Sequence, residues 1–326
     1  MKIAIVGCGA LGSYYGAMLS RAGHEVHFLL RSDYDVVRRN GVLIRSEKEE
    51  FVVHPIAAKS PDEISHCDVV LIGLKTTAND QFPILLPPLV SPDTMVVTLQ
   101  NGLGNEGQLA RLFPEEQILG GLCFVCLNRI EPGVILYTGH GLVVLGEFGR
   151  PPRESTQGLA STFVKAGVAC KVTDSLERAH WEKLVWNIPF NGLGVAGVAG
   201  YDALAIPYSK FTLPPLRGRC LTTDLLLKDP RWEKLVRELM LEVIAIAGAL
   251  GHEIPISFAE HQIERTRKMG AYKASTLVDF ERMQPLELES LFLEPLRQGR
   301  AAGVSVPCME SLYRVLERLD QVSERQ

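Results

Sequence analysis

The first half of the chain alternates short apolar runs with stretches in which apolar residues recur at helical spacing. KIAIV at 2–6, EVHFLL at 25–30, DVVLIGL at 68–74, TMVVTL at 94–99, GLVVLGEF at 141–148 and VACKV at 168–172 predict strands. ALGSYYGAMLSRAG, from Ala10, predicts a helix between the first two. Such alternation predicts a parallel sheet covered by helices. From Asp174 the pattern becomes helical: Asp174 is a candidate N-cap for LERAHWEKLVWN, and an amphipathic run over 232–250 is closed by Gly251. The expected fold class is α/β, with an N-terminal parallel-sheet domain over 1–173 and a C-terminal all-α domain over 174–326. PPRES at 151–155 opens a further helix and is the competing linker.

Composition narrows the partners. A chain of 326 residues with 46% hydrophobic content has room for two cores. Its formal charge of -4, with no basic run interleaved with aromatics, argues against nucleic acid as a partner. The most apolar stretch, LMLEVIAIAGALG, is interrupted by Glu242 and falls short of the roughly 18 apolar residues that span a bilayer, so no membrane association is expected. Lys2 before an apolar run has the outline of a secretory signal, but early glycines interrupt it and the segment reads as a buried first strand. Seven scattered cysteines suit a reducing, cytoplasmic setting. Cys123 and Cys126 have CxxC spacing but no second pair, and on a strand their sulfurs would point to opposite faces, so no metal site is expected.

The chemistry begins at GCGALG. Gly7 permits a tight turn, Gly9 lets the backbone approach a pyrophosphate, and Gly12 permits close packing of helix on strand. The motif follows a strand, opens a helix and precedes a second strand, which is the context that dinucleotide binding requires. Gly7, Cys8, Gly9, Ala10, Leu11 and Gly12 are therefore candidate cofactor residues. At the end of the second strand an acid would accept from a free ribose hydroxyl; this chain has Arg31, whose guanidinium suits the 2′-phosphate of NADP(H). Asp33 argues the other way, and a solvated surface Arg31 is the plain alternative. Lys75 in GLKTT and Asn101 in QNGLGN lie where later strands should end; by themselves they read equally as a surface charge and a turn.

In WEKLVWNIPFNG, Lys183, Asn187 and Asn191 recur every four residues and form one polar stripe on a helix whose other residues are largely apolar. The stripe either lines a cleft or is a solvated face. Pro189 predicts a kink or a helix end between the two asparagines.

GCGALG, Arg31, LKTT, QNGLGN, WEKLVWNIPFN, STLVDFERMQPLELE and AGVSVP occur in the order and spacing of the ketopantoate reductase family, which the chain resembles over essentially its whole length. The resemblance implies an N-terminal Rossmann domain, a C-terminal helical domain, NADP(H) as cofactor, and reduction of the ketone of 2-dehydropantoate to pantoate on the route to pantothenate. It implies Lys183 as the catalytic lysine. Asn187, Asn191 and Ser275, together with Lys183, match its substrate contacts, and Glu287 matches its active-site glutamate, on both the catalytic and cofactor sides. Asn101 matches an asparagine contacting cofactor and substrate, and Lys75 a lysine of the cofactor-side loop. Where many members carry Asn-Gly this chain has Phe292 and Leu293, a departure close to where selectivity would be set.

Ketone reduction needs a hydride at carbon and a proton at oxygen, and a lysine ammonium suits the second role while stabilising the developing alkoxide. The amides of Asn101, Asn187 and Asn191 suit orientation of cofactor and substrate. Other readings are reduction of a different 2-oxo acid, a β-hydroxyacid dehydrogenase, or an NADPH-binding sensor without turnover. A homodimer is a possible assembly.

Overall fold

The computed structural model describes residues 1–205, 216 and 218–323. The chain divides into two compact units, Met1–Ala179 and His180–Gln326. The first holds strands β1 (Lys2–Val6), β2 (Glu25–Leu29), β3 (Val42–Arg45), β4 (Glu50–Val53), β5 (Ile56–Ala58), β6 (Val69–Ile72), β7 (Met95–Thr98), β8 (Ile118–Glu131), β9 (Val134–Glu147) and β10 (Cys170–Val172). Its helices are α1 (Ala10–Arg21), α2 (Tyr34–Asn40), α3 (Phe82–Leu85), α4 (Asn105–Leu109) and α5 (Glu154–Lys165).

The strands form one ten-stranded sheet in the order β4-β3-β9-β8-β7-β6-β1-β2-β5, with β10 beside β9. From β5 through β2, β1, β6 and β7 to β8 every pairing is parallel. The chain starts in the middle of this sheet at β1, places β2 and β5 on one side of it and β6, β7 and β8 on the other, so the order reverses between β1 and β6, while β3 and β4 join the far end beside β9. Both faces are covered. Ile3, Ile5, Val69, Leu71 and Val97 pack with Tyr14, Tyr15 and Leu19 of α1 and with Leu159 and Phe163 of α5. The intervening residues Ala4, Val6, Val70, Ile72 and Val96 pack with Phe82, Leu86, Leu89 and Leu109 on the opposite side. The two-residue period of a strand divides the two cores in this way, and each fully buried Ile or Leu contributes roughly 1.5–3 kcal/mol of transfer free energy.

The expected strands are present, and the sheet exceeds the expectation. GLVVLGEF is the second half of the 14-residue β9, which pairs antiparallel with the 14-residue β8. Pro132 and Gly133 join them, with Gly133 at φ +72, a backbone state that only glycine adopts readily. This long ribbon passes over α1, where the Tyr137 ring stacks on Tyr14 with centroids 5.1 Å apart. β3 and β4 form a second antiparallel pair beside it.

Helix α6 (Leu176–Ala196) begins in the first unit and continues into the second. Its cap is Ser175 rather than Asp174, since Ser175 Oγ accepts the Arg178 N–H at 3.2 Å. The second unit continues with α7 (Thr223–Lys228), α8 (Pro230–Ala249), α9 (Ser257–Arg267), α10 (Ser275–Glu281), α11 (Glu294–Ala301) and α12 (Pro307–Ser323). Among the described residues no strand follows Val172. The amphipathic run expected at 232 starts two residues earlier, because Asp229 accepts the Arg231 N–H at 2.8 Å and caps α8 at Pro230. Trp232, Val236, Leu239, Val243, Ile246 and Ala247 form its buried face. Among the described residues no helix is long and apolar enough to cross a membrane.

Pro189 neither ends nor divides α6. It removes one backbone donor opposite Val185, yet almost every residue from Leu184 onward is buried, and packing on all sides of the helix outweighs a single lost hydrogen bond.

Candidate active site

Because β1, β2, β6 and β7 are parallel, the loops that follow them share one edge of the sheet, the edge at which open α/β sheets bind ligands. GCGALG follows β1, Arg31 lies just beyond β2, Lys75 beyond β6 and Asn101 beyond β7. The β1 and β6 loops touch at the reversal of strand order: a Cβ on Gly7, whose φ is +98, would lie 2.2 Å from the Leu74 nitrogen. A Cβ on Gly12 would lie 2.2 Å from the Gly7 carbonyl oxygen. Ser13 Oγ donates to the Cys8 carbonyl at 3.0 Å and fixes the turn from inside. Around Gly9 the space is open, with no atom within 4 Å of an added Cβ, and no side chain caps α1. A helix N-terminus with an open glycine in front of it fits a dinucleotide pyrophosphate. Cys8 contributes backbone to this turn; its thiol donates to the Ile5 and Leu29 carbonyls, and burial raises its pKa well above the ordinary value.

Arg31 is exposed, whereas Asp33 is buried and turned back into the fold. Arg129 Nε donates to Asp33 Oδ2 at 2.8 Å, Arg129 Nη2 donates to Oδ1, Gly133 N–H donates to Oδ2 at 3.3 Å, and Ser32 Oγ donates to Oδ1 at 2.9 Å. Burial alone would raise this carboxyl, but the donors from Arg129, Ser32 and Gly133 outweigh it and hold the group below the usual carboxylate range. The acid that argued for a ribose hydroxyl is thus engaged inside the protein.

Asn101 is anchored through its backbone. Its carbonyl accepts from Asn105 Nδ2 at 3.1 Å, Asn105 Oδ1 accepts from Asn79 Nδ2 at 3.0 Å, Asn79 Oδ1 accepts from Gln100 Nε2 at 2.7 Å, and Gln100 Oε1 accepts from Thr98 Oγ1 at 2.9 Å. This chain of amides ties the β7 loop to the turn after Lys75 and orients both. In the sequence, Asn79, Gln100 and Asn105 are marked by no more than the density of amides in QNGLGN and TTAND.

In the second unit the stripe on α6 is not a solvated face. Lys183 is half-buried, and Asn187 and Asn191 are 7% and 2% exposed. Asn191 Oδ1 accepts from the Thr276 N–H at 3.0 Å and from Ser275 Oγ at 3.2 Å, so it satisfies a donor at the start of α10 and brings Asn191 and Ser275 together. Trp186 Nε1 donates to Thr266 Oγ1 at 2.9 Å and packs on Phe190, bracing the same helix.

Glu287 is buried immediately before a π turn over Glu289–Leu293 that runs directly into α11. Pro295 accounts for the turn: without an N–H it cannot close a bond to the Leu291 carbonyl, and the helix widens there. Phe292 is core, 2% exposed, with its ring 2.9 Å from where a Gly192 Cβ would stand. The absence of a side chain at Gly192 on α6 leaves room for this ring.

The chain matches the family model "Ketopantoate reductase PanE/ApbA" over residues 3–150 and "Ketopantoate reductase PanE/ApbA C terminal" over residues 218–320. It is 38% identical to a 2-dehydropantoate 2-reductase of Nostoc sp., over 98% of this chain and 95% of that protein. Among solved structures, a 2-dehydropantoate 2-reductase from Geobacter metallireducens is 43% identical with a TM-score of 0.88, covering 98% of this chain and 99% of that one. One from Methylococcus capsulatus is 33% identical with a TM-score of 0.86, covering 100% and 99%. Both halves of the sequence and the whole of the fold agree: the chain belongs to the ketopantoate reductase family.

Proposed function

We propose that the chain reduces the ketone of 2-dehydropantoate to pantoate with NADPH, as a step of pantothenate biosynthesis. The observation that carries this reading is the buried polar stripe of α6, in which Asn187 and Asn191 are almost wholly withdrawn from water on the helix that bears Lys183. Helical spacing holds these two amides and the Lys183 ammonium on one face, a set of donors and acceptors suited to a ligand's carboxylate and hydroxyl.

Residues 1–173 form the cofactor domain of this reading and 174–326 the catalytic one. The GCGALG turn (Gly7, Cys8, Gly9, Ala10, Leu11, Gly12) holds the pyrophosphate through backbone N–H groups, Arg31 pairs with the 2′-phosphate, and Lys75, Asn101 and Glu287 make further cofactor contacts. Bound NADPH supplies the hydride. Lys183 Nζ donates the proton to the ketone oxygen and stabilises negative charge there as it develops. Asn187, Asn191 and Ser275 orient the substrate, and Asn101 and Glu287 orient the groups around the ketone. On this reading the enzyme works in the cytoplasm on a small 2-oxo acid, without nucleic acid; the charge of -4 and the free state of all seven cysteines support it. A homodimer is compatible with it, and light scattering measures the assembly.

The test is NADPH consumption by the purified protein against a panel of 2-oxo acids. The expected result is highest kcat/KM with 2-dehydropantoate. Preference for another 2-oxo acid would move the substrate, oxidation of 3-hydroxy acids would mark a β-hydroxyacid dehydrogenase, and binding without turnover would mark a sensor.

A further inference from the structure

We infer that Arg129, on the β8–β9 ribbon, is a specificity-determining residue for the cofactor: by engaging Asp33 it withdraws a carboxylate that would reject the adenosine 2′-phosphate. This rests on the NADPH reading and extends it to a residue 96 positions along the chain from Asp33.

The β2 end reads Leu30, Arg31, Ser32, Asp33, so a cation and an anion lie two residues apart where the ribose is recognised. Left to itself, Asp33 would accept from a ribose 2′-hydroxyl and repel a phosphate. Each of its oxygens instead has two donors: Arg129 Nε and Gly133 N–H at Oδ2, and Arg129 Nη2 and Ser32 Oγ at Oδ1. A carboxylate has about four acceptor positions, so this one has none left for a sugar. The fork of the guanidinium also cancels its charge at close range. Next along the chain, Tyr34 carries the Lys59 ammonium 4.4 Å from its ring centroid. Lys59 directly follows β5, the partner of β2. With Asp33 neutralised, the exposed Arg31 guanidinium is left to meet an anion at the end of β2. Geometry set by the Pro132–Gly133 hairpin thereby decides what the end of β2 can bind.

A purely structural staple would affect both nicotinamide cofactors alike, and the experiment separates the two roles. Dissociation constants for NADPH and NADH are measured by fluorescence titration on the full chain, for the parent, Arg129→Met and the double variant Arg129→Met/Asp33→Asn, with melting temperatures alongside. Arg129→Met should lower the preference for NADPH about tenfold, through repulsion between the released carboxylate and the 2′-phosphate. Removing that carboxylate in the double variant should restore the preference to within about threefold of the parent. Should Arg129→Met not fold, Arg129→Lys keeps the charge but not the fork and should lower the preference by a few-fold, again rescued by Asp33→Asn. Equal weakening of both cofactors, or no rescue, overturns the inference. A parent protein that prefers NADH overturns the NADPH reading itself, whereas a parent that prefers NADPH with an unchanged ratio in Arg129→Met overturns the role of Arg129 alone.

Discussion

Gly9 and Gly12, three residues apart, should fail in different ways when each gains one methyl group. On Gly12 the new carbon would lie 2.2 Å from the Gly7 carbonyl oxygen and 3.0 Å from Ile5 Cγ2, so the β1 turn and α1 must separate. At 2.2 Å from a backbone oxygen the cost lies at the top of the overpacking range, about 3 kcal/mol, of which alanine's helix propensity returns about 1 kcal/mol. The net loss of about 2 kcal/mol corresponds to a fall in Tm of about 3 °C in a chain of this size. On Gly9 nothing lies within 4 Å, and its φ of -74 and ψ of -158 suit any residue. Stability should then change by less than about 1 kcal/mol, or about 1.5 °C. The methyl group would, however, stand where the pyrophosphate approaches, and the NADPH Kd should rise about tenfold or more, a loss of about 1.4 kcal/mol. Thermal melts and NADPH titrations of the two alanine variants measure both quantities. Gly9→Ala binding NADPH as tightly as the parent, or Gly12→Ala melting with the parent, would refute the geometry.

Other substitutions probe the remaining links. Arg31→Asp should lower the ratio of kcat/KM for NADPH over NADH by about tenfold or more, and an unchanged ratio counts against phosphate pairing. Asn191→Ala removes the acceptor for Thr276 N–H and Ser275 Oγ and should destabilise the protein by about 1–2 kcal/mol, with Asn191→Asp retaining most of the stability because the acceptor remains; equal melts for the parent and the alanine variant would contradict the capping role. The folded-state pKa of Asp33 lies below its ordinary 3.8, so its ion pair stabilises the protein above that value and the contribution is lost as pH falls through the folded-state pKa. Asp33→Asn should accordingly flatten the acid limb of the Tm–pH curve, and parallel limbs would refute the pairing.

The parts of this molecule legible in the sequence are those whose cause is local. GCGALG could be interpreted because strand, turn and helix lie within 21 residues, and the Lys183–Asn187–Asn191 stripe because helical spacing puts them on one face. Whether that stripe met water was not local: it depends on packing by segments such as Phe292 and Leu312, which close on Gly192 from far along the chain. The same reason hid Arg129 from any reading of Asp33. Two further local signals lie in the sequence. Pro132-Gly133 marked the hairpin that doubles the length of the last strands, and Pro295 marked the widened turn after Glu287. Pro189 shows the converse, a strong local signal for a helix end overridden by burial on all sides.

The most direct test of the account is Lys183→Met, assayed for turnover of 2-dehydropantoate and, separately, for NADPH affinity. The kcat should fall by about a hundredfold or more while the NADPH Kd stays within about threefold of the parent, because the proton donor is lost and the glycine turn is untouched. Turnover at the parental rate would contradict it.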